Sequence, residues 1–317
     1  MAVHDVVIVG GGAAGLSAAL VLARARRKVT VVDAGEPRNA AAAHVHGYLS
    51  RDGVPPGELL RIGRDEVRGY GGRIVTDVAH RVSRDGTPVV FSVVLGSGEV
   101  LAARRLLVAT GLADDLPDLP GVRELWGTDV HGCPYCHGWE VRDTPIGVLG
   151  TGDLSVRQAL LLRQWSDDVV FFPHAVGELA EPELARLARR GIRVVPGRVR
   201  RLVTGDGGRL VGVETEAGEL VPRTSLFLTP RFAANDGLLA ALGCAASGDG
   251  WVTVDSAGRT SVAGVWAAGN VTGTGVQVIG AAGAGSRAAI ALNTDLLEED
   301  LRREEFDAEA RPATVTG

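Results

Sequence analysis

The chain is 317 residues long, 45% hydrophobic and 22% charged, which suits about two globular domains with cores of their own. Net charge is −5, and the stretch from Glu298 to Glu309, with seven acids and two arginines, accounts for a similar amount; the remainder is near neutral and offers no basic face for nucleic acid. Three cysteines exclude an extracellular disulfide framework, and no apolar run of about twenty residues is present to span a membrane. Met1-Ala2-Val3-His4-Asp5 has no basic leader pattern, so the expected location is the cytoplasm. Glycine is abundant, at 44 residues, which fits tight turns and backbone approaching a ligand.

Val6 to Val9 reads as a buried parallel strand that runs into Gly10-Gly11-Gly12-Ala13-Ala14-Gly15. Leu16 to Arg27 follows as a helix and Lys28 to Val32 as a second strand, ending in Asp33. Strand, G-x-G-x-x-G, helix, strand and acid make up the dinucleotide-binding pattern. Gly10 permits the turn, Gly12 lets backbone approach a pyrophosphate at the helix N-terminus, and Gly15 lets helix and strand pack closely. Asp33 can accept from a ribose hydroxyl.

Residues 34–60 hold no strand pattern, and a loop of this length is usually functional. Its Arg38, Asn39, His44 and His46 are candidate cofactor contacts or solvated surface groups. A helix is expected from Gly57 to Tyr70, with strands at Arg73 to Val78, Val89 to Leu95, Val100 to Ala102 and Arg105 to Ala109, the last ending in Thr110-Gly111. Leu116-Pro117-Asp118-Leu119-Pro120-Gly121 has the composition of a linker and is read as a domain boundary.

His131-Gly132-Cys133-Pro134-Tyr135-Cys136-His137-Gly138-Trp139-Glu140 follows. A C-x-x-C pair can close a small redox-active disulfide ring. Pro134 suits the first position of a helix, with Cys133 as the cap before it. The N-terminal pattern then repeats: strand Pro145 to Leu149, glycine turn Gly150-Thr151-Gly152-Asp153-Leu154-Ser155, helix Val156 to Trp165 and strand Val169 to Phe172. Glu181 to Arg190 reads as a helix, and Ile192 to Val195, Arg209 to Val213, Leu220 to Pro222 and Ser225 to Thr229 as strands. Val262 to Asn270 is a late strand ending Ala268-Gly269-Asn270, and a small-residue helix opens at Val276-Gln277-Val278 and runs to about Leu297. Arg302 to Gly317 is expected to be a loose arm. Cys244 reads as a buried structural thiol.

The order of these motifs resembles low-molecular-weight thioredoxin reductase over nearly the whole chain. Within that family, Cys133-Pro134-Tyr135-Cys136-His137-Gly138-Trp139-Glu140 resembles the dithiol oxidases that close the disulfides of holomycin, gliotoxin and romidepsin. The resemblance implies an α/β fold of two Rossmann-like domains. One is discontinuous, residues 1–113 and 230–317, and holds FAD; the other, 114–229, is of the NAD(P)-binding type and carries the cysteines. On matching positions, Gly11 to Ala14 would hold the pyrophosphate and Asp33 the adenosine ribose. Arg38, Asn39 and His46 would line the cofactor, Val78 the adenine, and Ala109, Thr110 and Gly111 the middle. Gly269, Asn270, Gln277 and Val278 would lie by the ribityl chain and the flavin ring, with Asn270 where the reductases usually carry Asp. Cys136 would lie against the flavin and Cys133 would face the substrate. A homodimer is the family's usual assembly.

One departure bears on direction. In the reductases the strand after the second glycine turn leads to arginines that hold the NADPH 2′-phosphate. Here the sequence is Phe171-Phe172-Pro173-His174-Ala175-Val176-Gly177. Losing two charge-assisted hydrogen bonds costs about 10²–10⁴ in affinity. The expectation is therefore that electrons run from a small dithiol through Cys133–Cys136 and FAD to O2, giving H2O2, with NADP(H) poorly used. His137 is the candidate base and His131 its candidate partner; a local structural hydrogen bond is the alternative for each. Tyr135 and Trp139 shape the substrate pocket or pack in the core. The competing functions are an NADPH-driven disulfide reductase and a flavin-bound redox sensor. A zinc site is disfavoured, because the two Cys and two His fall within seven residues and no second knuckle follows.

Overall fold

The computed structural model of the chain describes residues 3–86 and 90–309. The elements in order are β1 (Val3–Val9), α1 (Ala13–Arg24), β2 (Val29–Asp33), α2 (Pro56–Gly69), β3 (Arg73–Thr76), β4 (Ala79–Asp85), β5 (Val90–Leu95), β6 (Val100–Val108) and β7 (Leu112–Asp115). There follow α3 (Val122–Leu125), β8 (Val130–His131), α4 (Pro134–His137), β9 (Ile146–Leu149), α5 (Ser155–Leu162), β10 (Val169–Phe172), α6 (Glu181–Arg189), β11 (Arg193–Val194), β12 (Val199–Thr204), β13 (Leu210–Thr215), β14 (Leu220–Pro222) and β15 (Ser225–Leu228). The chain closes with β16 (Arg231–Ala234), α7 (Gly237–Ala241), β17 (Val265–Ala267), a 3-10 turn (Gly269–Thr272) and α8 (Val278–Glu309).

Two compact units result. One comprises Met1–Pro37, Gly57–Leu112 and Ala234–Gly317; the other comprises Arg38–Pro56 and Ala113–Ala233. Residues 38–56 therefore group with the second unit, although the sequence reading drew them into the first.

The first unit is built on a sheet ordered β3-β2-β1-β6-β5-β4, with β17 also pairing with β6. β1 is parallel to β2 and β6, and both of its faces are covered, so it reads as a continuous apolar run. Val6 and Ile8 pack with α1 and α8, whereas Val7 and Val9 pack on the opposite face with Phe91, Val93 and Leu239. The second unit holds a parallel sheet ordered β11-β10-β9-β15-β8 and a separate antiparallel sheet β12-β13-β14. Ile146, Val148 and Phe171 face the α5 and α6 side, and Leu149, Val170 and Phe172 face the side of the three-stranded sheet.

Four expectations need correction. β4 and β12 were not anticipated; each buries few side chains, so the apolar alternation that marks a strand is nearly absent, and hairpin pairing to β5 and β13 supplies their order. Leu116 to Gly121 is no linker: Leu116 and Leu119 are buried in the second unit's core, and the Pro120 carbonyl accepts from Leu202 N–H. The acidic tail remains helical to Glu309, while residues 310–317 of the expected arm lie outside the described residues. Arg27 binds Asp300 at 2.7 Å, Arg105 binds Asp295 at 2.5 Å and Glu299 at 2.6 Å, and Arg303 pairs with Glu299 one turn earlier. These pairs turn a like-charged run into a clamped helix. Cys244 is half-buried rather than buried, its thiol 3.5 Å from Thr260 Oγ1.

Among the described residues no helix is long and apolar enough to cross a membrane.

Candidate active site

The dithiol turn belongs wholly to the second unit. β8 places His131 opposite Phe227 of β15, and the chain turns at once into α4. Cys133 has extended backbone, φ −116° and ψ 112°, and stands at the cap position before Pro134. Its carbonyl accepts from Cys136 N–H at 3.2 Å and His137 N–H at 3.3 Å. This single turn brings the two Cα atoms to 5.3 Å, within the span a disulfide bridges, and Cys133 and Cys136 are joined. The Gln158 side-chain amide donates to the Gly132 carbonyl at 2.8 Å, which ties the turn to α5. The Trp165 ring meets Tyr135 edge-on at 5.8 Å. Tyr135 and Trp139 are themselves largely exposed, which settles against core packing for either.

His137 lies stacked on His131, with ring centroids 4.4 Å apart and an interplanar angle of 19°. His131 is 4% exposed, and among the described residues neither of its ring nitrogens nor His137 Nδ1 has a hydrogen-bond partner. Burial, reinforced by the neighbouring His137, pushes the His131 pKa down to about 3. Burial also lowers that of His137, opposed by the Glu140 carboxylate and the Cys133 carbonyl. Both rings are therefore neutral at neutral pH. The pair is two stacked uncharged rings, with His131 the more deeply buried.

The loop at 38–56 contributes to this unit. Val45 and Val54 form a bridge that closes it, and His46 then sits between two carboxylates, with Nδ1 3.3 Å from Asp52 Oδ2 and Nε2 3.4 Å from Glu140 Oε1. Arg38 forms a paired contact to Asp114 at 2.6 and 2.7 Å. The Asn39 carbonyl accepts from Ala42 N–H. The polar groups of Arg38 and His46 are thus engaged inside the second unit. Glu140, Gln158 and Trp165 were not singled out as site residues; Glu140 alone had a signal, its place three residues after His137.

In the first unit, Gly10 N–H donates to the Val32 carbonyl at 2.8 Å where β1 ends. Gly10 has φ +109°, and a Cβ there would lie 2.3 Å from the Ala109 carbonyl oxygen; a Cβ on Gly15 would lie 1.8 Å from the Gly10 oxygen. Gly12 caps α1, offers no side chain to close the helix end, and faces open space. The Asp33 carboxylate lies over Gly11 and accepts from Gly35 N–H at 3.2 Å. Ala109 to Gly111 is held by Asn235: Thr110 Oγ1 donates to its carbonyl at 2.6 Å, and its side-chain amide donates to the Thr110 carbonyl at 3.0 Å. Val78 is half-exposed beside Asp77. Asn270 donates to the Gly273 and Val276 carbonyls at 3.3 and 3.4 Å, and Val278 opens α8, with the carbonyl of Gln277 just before it accepting from Ala281 N–H. An uncapped helix N-terminus, an open glycine cradle and a carboxylate over it fit the pyrophosphate and ribose of FAD.

The second glycine turn differs. Ser155 Oγ, fully buried, accepts from Thr151 N–H at 3.0 Å and Gly152 N–H at 3.2 Å. His174 Nδ1 accepts from Val199 N–H at 3.1 Å. Among the described residues no group of three His, Cys, Asp or Glu side chains could hold a metal ion.

The chain matches the pyridine nucleotide-disulphide oxidoreductase family over residues 4–285. The thioredoxin reductase tcpT of Claviceps purpurea is 33% identical over 84% of this chain and 86% of that protein. A thioredoxin reductase relative of Arthroderma benhamiae is 33% identical over 174 residues, 53% of this chain, and the match spans 43% of that protein. The crystal structure of HlmI is 52% identical, covers 97% of this chain and 96% of its own, and superposes with a TM-score of 0.93. The chain thus belongs to the pyridine nucleotide-disulphide oxidoreductase family and has its thioredoxin reductase-like fold.

Proposed function

We propose that the protein is an FAD-dependent thiol oxidase that closes an intramolecular disulfide in a small dithiol natural product, with O2 as terminal acceptor and H2O2 as by-product. The observation that carries this reading is the neutral His137 ring, in the turn after Cys136, stacked on a buried neutral His131. A substrate thiolate attacks the Cys133 sulfur, the Cys133–Cys136 bond breaks, and Cys136 leaves as thiolate. His137 takes the proton of the second substrate thiol, and that thiolate attacks the mixed disulfide and releases Cys133. The substrate loses two electrons as its new S–S bond forms, and the enzyme pair gains them. Gly10 to Gly15, Asp33, Ala109 to Gly111, and Gly269, Asn270, Gln277 and Val278 would hold FAD, which would supply a two-electron acceptor for the reduced pair.

NADP(H) is read as poorly used; this is supported by Pro173 and His174 standing where arginines would hold a 2′-phosphate, with His174 Nδ1 bonded to backbone. Exposed Tyr135 and Trp139 flank the turn and offer aromatic surface to the substrate. The protein is read as a cytoplasmic homodimer without nucleic-acid or membrane partners. The test is oxidation of a small dithiol in air by the holoenzyme. Wild type should give one H2O2 per disulfide formed, while Cys133→Ser and Cys136→Ser keep FAD and show no turnover. Turnover retained in either variant would refute the scheme.

A further inference from the structure

We infer that Glu140 and His46 form a positioning pair that sets the proton affinity of His137; the inference rests on the oxidase reading above. His137 is half-buried, and its proton-accepting step creates a cation in a place that disfavours one. The groups acting on it are the neutral His131 ring from β8, the Cys133 carbonyl before α4, Glu140 from the turn after α4, and His46 from the loop at 38–56. Beyond His131, Asp129 is closed off by Arg209, with contacts of 2.5 to 3.0 Å. Glu140 is thus the one negative group acting on His137 in this set; it raises its basicity against burial, while the direct effect of His46 is a smaller one in the opposite sense.

A lone carboxylate on an exposed turn would swing freely. Glu140 is held when the His46 ring carries both protons: Oε1 lies 3.4 Å from His46 Nε2, and the other nitrogen of that ring lies 3.3 Å from Asp52 Oδ2. Asp52 is itself fixed, because its Oδ1 accepts from Gly47 N–H at 2.8 Å and the Val45–Val54 bridge closes the loop around it. When the substrate S–H bond breaks and an N–H bond forms on His137, the new positive charge meets an oriented carboxylate. The electron pair left on sulfur forms the product disulfide. Glu140 touches neither thiol, so its role is positioning.

The experiment follows the His137 ring by NMR titration of the FAD-loaded protein, assigned by loss of its signal in His137→Gln. It pairs this with the pH profile of kcat/KM for dithiothreitol oxidation. Removing the negative charge makes the imidazolium harder to form. The His137 midpoint and the acid limb should therefore move to lower pH by about half to one pH unit in Glu140→Gln, with the plateau rate about three- to tenfold lower. Glu140→Asp should recover most of both, and 0.5 M salt should narrow the gap to wild type, as expected for a partly exposed charge. In a His46→Gln background the effect of Glu140→Gln should shrink by half or more. A rate loss with an unmoved midpoint would make Glu140 merely structural and overturn the inference, and an undiminished effect in the His46→Gln background would remove His46 from the pair. A midpoint that moves in a protein unable to oxidise any dithiol supports the pair and sinks the oxidase reading.

Discussion

The two glycine turns start alike and end differently. Gly10 N–H donates to Val32 O at 2.8 Å, and Gly150 N–H donates to Phe172 O at 2.7 Å. In both, the glycine is so close to a neighbouring carbonyl that a Cβ would overlap it, at 2.3 Å from Ala109 O in the first and 2.2 Å from Pro173 O in the second. After Val32 the chain presents the Asp33 carboxylate across the turn. After Phe172 it presents Pro173, then His174, whose ring nitrogen is taken by Val199 N–H. Both helix ends lack a side-chain cap; the second turn differs in directing its Thr151 and Gly152 N–H groups onto Ser155. The strand-turn-helix corner is thus kept in both places, while an acidic side chain stands over the glycines of the first alone.

Substitutions at the glycines break this comparison most forcefully. Gly15→Ala drives a Cβ to 1.8 Å from a backbone oxygen that cannot move aside cheaply, and should cost about 3 kcal/mol or more of stability together with bound FAD. Thermal unfolding and flavin content read both. Gly12→Ala meets nothing within 4 Å, so the apo fold should melt as wild type while FAD affinity drops about tenfold or more, because the added methyl occupies the cradle. Gly152→Ala, equally open, should change neither by more than about 0.5 kcal/mol. Equal FAD loss from Gly12→Ala and Gly152→Ala would erase the distinction between the turns.

A smaller effect concerns the stacked histidines. The folded protein keeps His131 neutral down to about pH 3, whereas the unfolded chain protonates it near 6.5. Below pH 6.5 the unfolded state binds more protons, so stability falls as pH falls from 6.5 towards 3, by up to about 1.4 kcal/mol per pH unit for one such group. His131→Phe keeps a stacked ring and removes that dependence. Its stability relative to wild type should improve on going from pH 8 to pH 5.5, by about 1 kcal/mol. A constant difference across that range would mean that His131 is not held neutral by the fold.

The strands and turns that carry motifs were legible because each combines an apolar run with glycine or proline punctuation; β2, β9 and β10 fall within about a residue of their expected positions, and β1 ends where expected but begins three residues earlier, at Val3. β4 and β12 were hidden because their sequences are polar and their order comes from hairpin partners. The acidic end of α8 reads as loose because its stabilising arginines, Arg27, Arg104 and Arg105, stand far earlier in the chain. Cys133, Cys136 and His137 were visible as a contiguous stretch. The stacking of His131 and the approach of His46 to Glu140 were not, since both arise from tertiary packing that no local spacing encodes.

The proposed electron direction rests on the contrast between the two turns, and one anaerobic measurement tests it most directly. The FAD-loaded protein is mixed without oxygen, in separate syringes, with reduced dithiothreitol and with NADPH at micromolar concentration, and flavin absorbance is followed. The account predicts rapid bleaching by the dithiol, no comparable bleaching by NADPH, and recovery with peroxide when air is admitted. Rapid bleaching by NADPH with none by the dithiol would contradict it and return the protein to the disulfide reductases.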